Sequence, residues 1–121
     1  EKTEVPVLQH TSIGKYFICH GHEIPDEIPE KNIVISHEHP AVSIRSGSRS
    51  ERYKCFLKMK YKDKNLFVLP SMNTLNEGSD ILAEKPLSPF ITYKTREKAE
   101  VFIVAEEKIL RFGTVKDLSD L

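Results

Sequence analysis

The sequence has no tryptophan, only two cysteines and no excess of either charge. Cys19 and Cys55 cannot build a disulfide framework and form no C-x-x-C pair. A disulfide-stapled secreted scaffold and a dithiol redox motif are therefore excluded, and a reducing cytoplasm is the expected compartment. Lys plus Arg and Asp plus Glu number 18 each, a formal net charge of zero. That excludes wrapping of nucleic acid or of an anionic membrane by bulk charge and leaves only a local patch. No apolar run approaches the roughly 20 residues of a membrane span. The opening EKTEVPVLQH has neither the basic nor the apolar part of a signal peptide. It begins at Glu1 rather than Met, so a processed product, a trimmed chain or a fragment is expected.

What is present suits one soluble domain or a piece of a larger one. The chain has 121 residues, 39% hydrophobic and 30% charged, too apolar for a disordered segment. Lys15–Cys19 (KYFIC) and Asn32–Ser36 (NIVIS) are short, apolar and β-branched or aromatic, and read as buried strands. A polar loop with Pro25 and Pro29 separates them. Ala41–Arg45 is a further strand, and GSRSER (Gly47–Arg52) reads as a turn or mobile loop. In Tyr53–Tyr61 the residues Tyr53, Cys55, Leu57, Met59 and Tyr61 alternate with lysines, the pattern of a half-exposed strand. Asp63-Lys64-Asn65 is the turn of a hairpin returning through Leu66–Leu69, with Pro70 ending the pairing. Residues 71–90 are irregular, with a short helix expected over Ser79–Glu84, capped by Ser79. Glu100–Ala105 and Lys108–Phe112 form a second hairpin around Glu106-Glu107, and the tail from Thr114 holds one helical turn. Phe56, Phe67 and Phe102 are expected in the core. About seven strands and no long helix describe either a small β-sandwich or the strand-rich half of a layered α/β protein.

Four of the five histidines lie between His20 and His39. His20 and His22 directly follow one apolar strand; His37 and His39 directly follow another. If those strands are parallel neighbours, all four imidazoles meet at one sheet edge, the carboxyl edge where α/β sheets hold ligands. Neutral imidazole is the commonest metal-binding side chain near neutral pH. In extended chain the two histidines of an H-x-H face the same way. The bland alternative is a set of surface-loop or capping histidines. Cys19 beside His20 could serve as a nucleophile with a histidine base, but inside KYFIC it reads as a packed thiol. The cations after His39 (Arg45, Arg49, Arg52, Lys54, Lys58) could read phosphate, although alternating strand lysines more often form a solvated face.

FICHGHEIP (Phe17–Pro25), IVISHEHPAVSIR (Ile33–Arg45), YKCFLK (Tyr53–Lys58) and LFVLPSMNTLNEGSDIL (Leu66–Leu82) together resemble the calcineurin-like metallophosphoesterase superfamily. The likeness is to archaeal phosphoesterases of unassigned substrate and to bacterial phosphoesterases associated with DNA ligase and helicase genes. It spans roughly residues 12 to 90. It implies an α/β fold, the C-terminal half of a four-layer α/β/β/α sandwich, with the chain as a single domain. It also implies hydrolysis of a phosphate mono- or diester, with nucleotides and nucleic acids among the substrate classes that suit the superfamily, by a metal-activated hydroxide. His20, His37 and His39 match metal ligands, His22 matches a site-edge residue that orients or protonates, and Asn73 lies in the segment that closes over the site in the related proteins; Arg45, placed where a phosphate reader would set an arginine, and Asn73 are the expected substrate contacts.

Two departures bear on the chemistry. The superfamily's G-H-x-H reads Ser36-His37-Glu38-His39 here. Its D-x-H, G-D and G-N-H motifs, which supply the bridging carboxylate and further ligands, do not occur in these 121 residues. Two-metal hydrolysis needs ions about 3.5–4 Å apart, and a carboxylate normally holds that spacing. The complete enzyme is expected to carry two divalent ions (Mn, Fe, Zn or Ni). This chain should hold at most one, with Glu38 or Glu23 as extra oxygens. It is therefore expected to be inactive without the N-terminal half, supplied as a second chain, or to form a homo-oligomer. The rival from another class is a non-catalytic metal-binding or assembly module.

Overall fold

The structure is a computed structural model that describes residues 10–73, 75–105 and 107–120. Within them lie nine strands and two five-residue helices. The strands are β1 (His10–Ile13), β2 (Tyr16–Cys19), β3 (Asn32–Ile35), β4 (Pro40–Ser46), β5 (Arg49–Tyr61), β6 (Lys64–Val68), β7 (Ser79–Asp80), β8 (Glu100–Ala105) and β9 (Lys108–Thr114); the helices are α1 (Tyr93–Glu97) and α2 (Val115–Ser119). They form one mixed, mostly antiparallel arrangement in the order β1-β2-β3-β6-β5-β4-β7, with β8 on β5 and β9 on β8. No helix among the described residues is long and apolar enough to cross a membrane.

β2, β3 and β6 run parallel, with Phe17 opposite Ile33 and Ile33 opposite Leu66. β5 returns antiparallel to β6, Leu57 facing Val68 and Met59 facing Leu66. The pleat therefore puts Phe17, Ile33, Leu66 and Met59 in one row of a single sheet face, and Ile35, Val68, Leu57 and Val101 in the next. All eight are buried. Phe90, Ile91, Ile81, Ala99 and Val115 complete that core from the loops and helices. Each such apolar side chain contributes about 2 kcal/mol on removal from water.

Alternation sends Phe56, Phe67 and Phe102 to the opposite face, where they are half-buried, so the aromatic core is Phe17 and Phe90. Size alone does not tell which face is covered; register does.

Other expectations shift in informative ways. The segment read as a loop over Gly47–Arg52 is mostly strand: only Gly47 and Ser48 turn, and β5 begins at Arg49, paired to Ser46. The β5–β6 turn falls at Lys62-Asp63, one residue earlier than expected, with Lys62 at φ 55°. Ser79–Glu84 is not helical. Ser79 and Asp80 pair in parallel with Pro40 and Ala41, and the Asp80 carboxylate accepts the Leu82 N–H to close a turn. The tail does form its helical turn, capped by Thr114 with Asp117 returning the bond. α1 went unread because its cap, Thr92 with Thr95, uses a threonine where Glu or Gln is the usual signal. Glu106, expected in the turn of the second hairpin, lies outside the described residues.

Candidate functional site

β2 ends at Cys19 and its parallel neighbour β3 ends at Ile35, so both H-x-H segments leave the sheet at the same edge. The loops are joined by backbone: the His20 carbonyl accepts the N–H of Ser36 at 3.0 Å and of His37 at 2.7 Å. β6 leaves beside them, the Leu69 N–H bonding to the Ile35 carbonyl at 2.9 Å. Three parallel strand ends thus frame one edge, as the hydrophobic pattern of KYFIC and NIVIS requires once both are buried side by side.

The rings follow the backbone. His37 Nδ1 and His20 Nε2 lie 2.9 Å apart. The His20 and His37 ring centroids are 4.8 Å apart, His20 and His22 5.3 Å, and His22 and His37 6.2 Å. The other His20 nitrogen, Nδ1, faces the Ser36 hydroxyl at 3.5 Å. Desolvation beside the sheet edge lowers the pKa of the His20 imidazole although the residue is exposed, and the neighbouring His37 and His22 act in the same direction. A ring that sheds its proton readily keeps its lone pair free.

His39 lies apart from these ring contacts. It sits at φ 50°, its carbonyl accepts the Ser79 N–H at 2.7 Å, and its buried Nδ1 has no hydrogen-bond partner. His22 is on the rim, with Nε2 3.9 Å from the Glu23 carboxylate; both side chains are largely exposed. His10, which lay outside both pairs, stacks on Phe17 at 4.9 Å and lines an open groove of about 860 Å³ with Cys19, His20, His22, Glu23 and Asp26. Only the β1–β2 pairing, His10 opposite Cys19, could have revealed it.

Glu38 is not an extra oxygen at the edge. It is fully buried, and its carboxylate accepts the N–H groups of Leu87 and Ser88. Cys19 is half-buried, and desolvation raises its thiol pKa, against the needs of a nucleophile. Arg45 is exposed near the far end of β4, opposite Ser50, five residues past Pro40 and so about 17 Å along the strand. Asn73 shapes its own loop: its N–H bonds the Ser71 hydroxyl and its side-chain oxygen accepts the Leu75 N–H. Lys54 is not a free surface cation either, since its ammonium donates to the carbonyls of Ser71 and Asn73.

The donor chemistry can be compared with what a divalent ion needs. Two imidazole nitrogens each about 2.0–2.1 Å from one tetrahedral ion stand about 3.3 Å apart. The His20–His37 pair, at 2.9 Å, stands closer and at hydrogen-bonding distance. Among the described residues, no group of three or more His, Cys, Asp or Glu side chains is arranged to hold an ion. The described residues thus offer two apposed imidazoles and a His39 nitrogen without a partner, rather than a closed cage. No family model, curated protein or solved structure matches the chain.

Proposed function

We propose that this chain carries the histidine-bearing half of a metal-dependent phosphoesterase of the calcineurin-like kind, built on the C-terminal part of an α/β/β/α sandwich. The observation that supports this reading most directly is the meeting of two H-x-H segments from parallel strands, with ring nitrogens of His20 and His37 at 2.9 Å. In this reading His20 and His37 hold one divalent ion. His39, whose buried Nδ1 lacks a partner, serves the other together with ligands outside these 121 residues. A divalent pair, when bound, supplies Lewis-acid polarisation of a phosphoryl oxygen and hydroxide at neutral pH. His22, exposed on the rim, orients the ester or returns a proton to the leaving oxygen. The groove beside His10 bounds the space for the alcohol part of the substrate.

The test is hydrolysis of bis(p-nitrophenyl) phosphate with Mn²⁺, by this chain alone and by the chain combined with a segment bearing the D-x-H, G-D and G-N-H motifs. Turnover only in the combined form is the expected result. Absence of both Mn²⁺ uptake and turnover in the combined form would sink the proposal.

The second reading, a non-catalytic metal-binding or assembly module, is favoured by the absence of any three-ligand group among the described residues. It expects at most one ion per chain and a chain that sediments as a stable monomer. The half-buried outer-face aromatics Phe56, Phe67 and Phe102 point instead to association with another surface under the first reading.

A further inference from the structure

The middle residue of each H-x-H pair points the opposite way from its histidines. Gly21 and Glu38 are buried, whereas His20 and His22 are exposed and His37 and His39 partly so. Between the two buried residues runs the segment Pro86–Phe90. Its two prolines have no N–H and forbid a regular ladder, leaving the N–H groups of Leu87 and Ser88 in need of acceptors. Both bond to the Glu38 carboxylate, at 3.0 and 2.8 Å. The Ser88 hydroxyl then donates to the Gly21 carbonyl, and its oxygen accepts the Phe90 N–H at 3.3 Å. Gly21 itself, at φ +97°, lies so close to Ile35 that an added Cβ would stand 2.7 Å from the Ile35 Cβ.

We propose that Glu38 and Ser88 are positioning residues: a Gly21–Ser88–Glu38 clamp holds the two histidine loops at their buried side and, together with the His20 carbonyl's bonds to Ser36 and His37, keeps the His20 and His37 rings in contact. One unbroken chain of hydrogen bonds, Gly21 carbonyl to Ser88 hydroxyl and Ser88 N–H to Glu38 carboxylate, links the centre of one histidine pair to the centre of the other. The fully buried carboxylate is held by the Leu87 and Ser88 N–H groups. Its cost of burial is offset by charge-assisted bonds to two backbone donors. The clamp concerns the geometry of the cluster, and rests on the phosphoesterase reading only for what that cluster serves.

The experiment uses the 121-residue chain with labelled histidines. Nuclear Overhauser contacts between the His20 and His37 rings are measured in the parent protein and in Ser88→Ala, Ser88→Thr and Glu38→Gln. The contact should be present in the parent, lost in Ser88→Ala and restored in Ser88→Thr, while amide dispersion shows the sheet intact. Glu38→Gln keeps the side chain's shape and serves if Ser88→Ala does not fold. Persistence of the ring contact in both Ser88→Ala and Glu38→Gln overturns the proposal. In a second arm, Co²⁺ affinity is read from visible absorption, with a loss of about tenfold or more expected in Ser88→Ala. A parent chain that takes up no Co²⁺ but loses its ring contact in Ser88→Ala supports the clamp and counts against the metal reading instead. Equal Co²⁺ affinity in parent and variant, with ring contacts unchanged, overturns the clamp alone.

Discussion

His20 and His37 are tied twice, once through the backbone and once through the rings. The His20 carbonyl accepts the His37 N–H at 2.7 Å, and His20 Nε2 lies 2.9 Å from His37 Nδ1. The backbone bond fixes where the second loop starts, so the ring contact does not depend on side-chain chance alone. His20→Ala and His37→Ala should each weaken Mn²⁺ binding by about tenfold or more. Arg45→Ala, on the far part of β4, should leave it unchanged. Titration calorimetry of the folded variants checks both; equal losses from all three would detach the effect from the ring pair.

Removal of the Glu38 side chain should be costly. Glu38→Ala leaves the Leu87 and Ser88 N–H groups buried without acceptors and opens a cavity, at about 3 kcal/mol. Glu38→Gln keeps one acceptor oxygen and should cost about 1 kcal/mol. The difference between the two is read from urea unfolding midpoints at constant slope. A surface glutamate such as Glu97 should tolerate the same change to alanine within about 0.5 kcal/mol.

Gly78 stands at φ +85°, and a Cβ built there meets the His39 carbonyl oxygen at 2.7 Å. That oxygen also receives the Ser79 N–H. Gly78→Ala should therefore strain the left-handed backbone and push on His39, destabilising the fold by about 2 kcal/mol. Thermal unfolding measures the loss. In NMR spectra the His39 signals should shift more than those of His22, which lies on the other loop.

Burial pushes the Cys55 thiol up to about 12 from its ordinary 9.0, with Asp80 acting in the same direction. The unfolded thiol ionises first, so the unfolded state carries fewer bound protons between those values. Stability contributed by the neutral thiol is present below pH 9 and is lost as pH rises toward 12. Cys55→Ala, though less stable near neutrality, should show a shallower loss over that interval. Iodoacetamide should modify Cys19, which is half-buried, well before Cys55 in the folded chain.

Much of the sheet was legible because alternation is a local property. Tyr53–Tyr61 reads as a half-exposed strand, and its Cys55, Leu57 and Met59 are indeed the buried side. The parallel neighbourhood of KYFIC and NIVIS was expected as a condition for the histidines to meet, and it holds. The placement of large aromatics was not legible. Phe56 and Phe67 sit at positions that register assigns to the outer face, and no local rule says which face the loops will cover.

By itself, the sequence determined most of the strand segments, the two histidine pairs at strand ends and the final helical turn, because periodicity and proline act within a few residues; β1, β7 and the start of β5 it did not. Only the tertiary structure decided that His20, His22 and His37 share one edge while His39 lies apart, and that Glu38 turns inward to hold Leu87 and Ser88. The reason is distance along the chain. The bonds that orient these side chains join residues 16 to 67 positions apart, and such partners exist only once the sheet has brought their loops together.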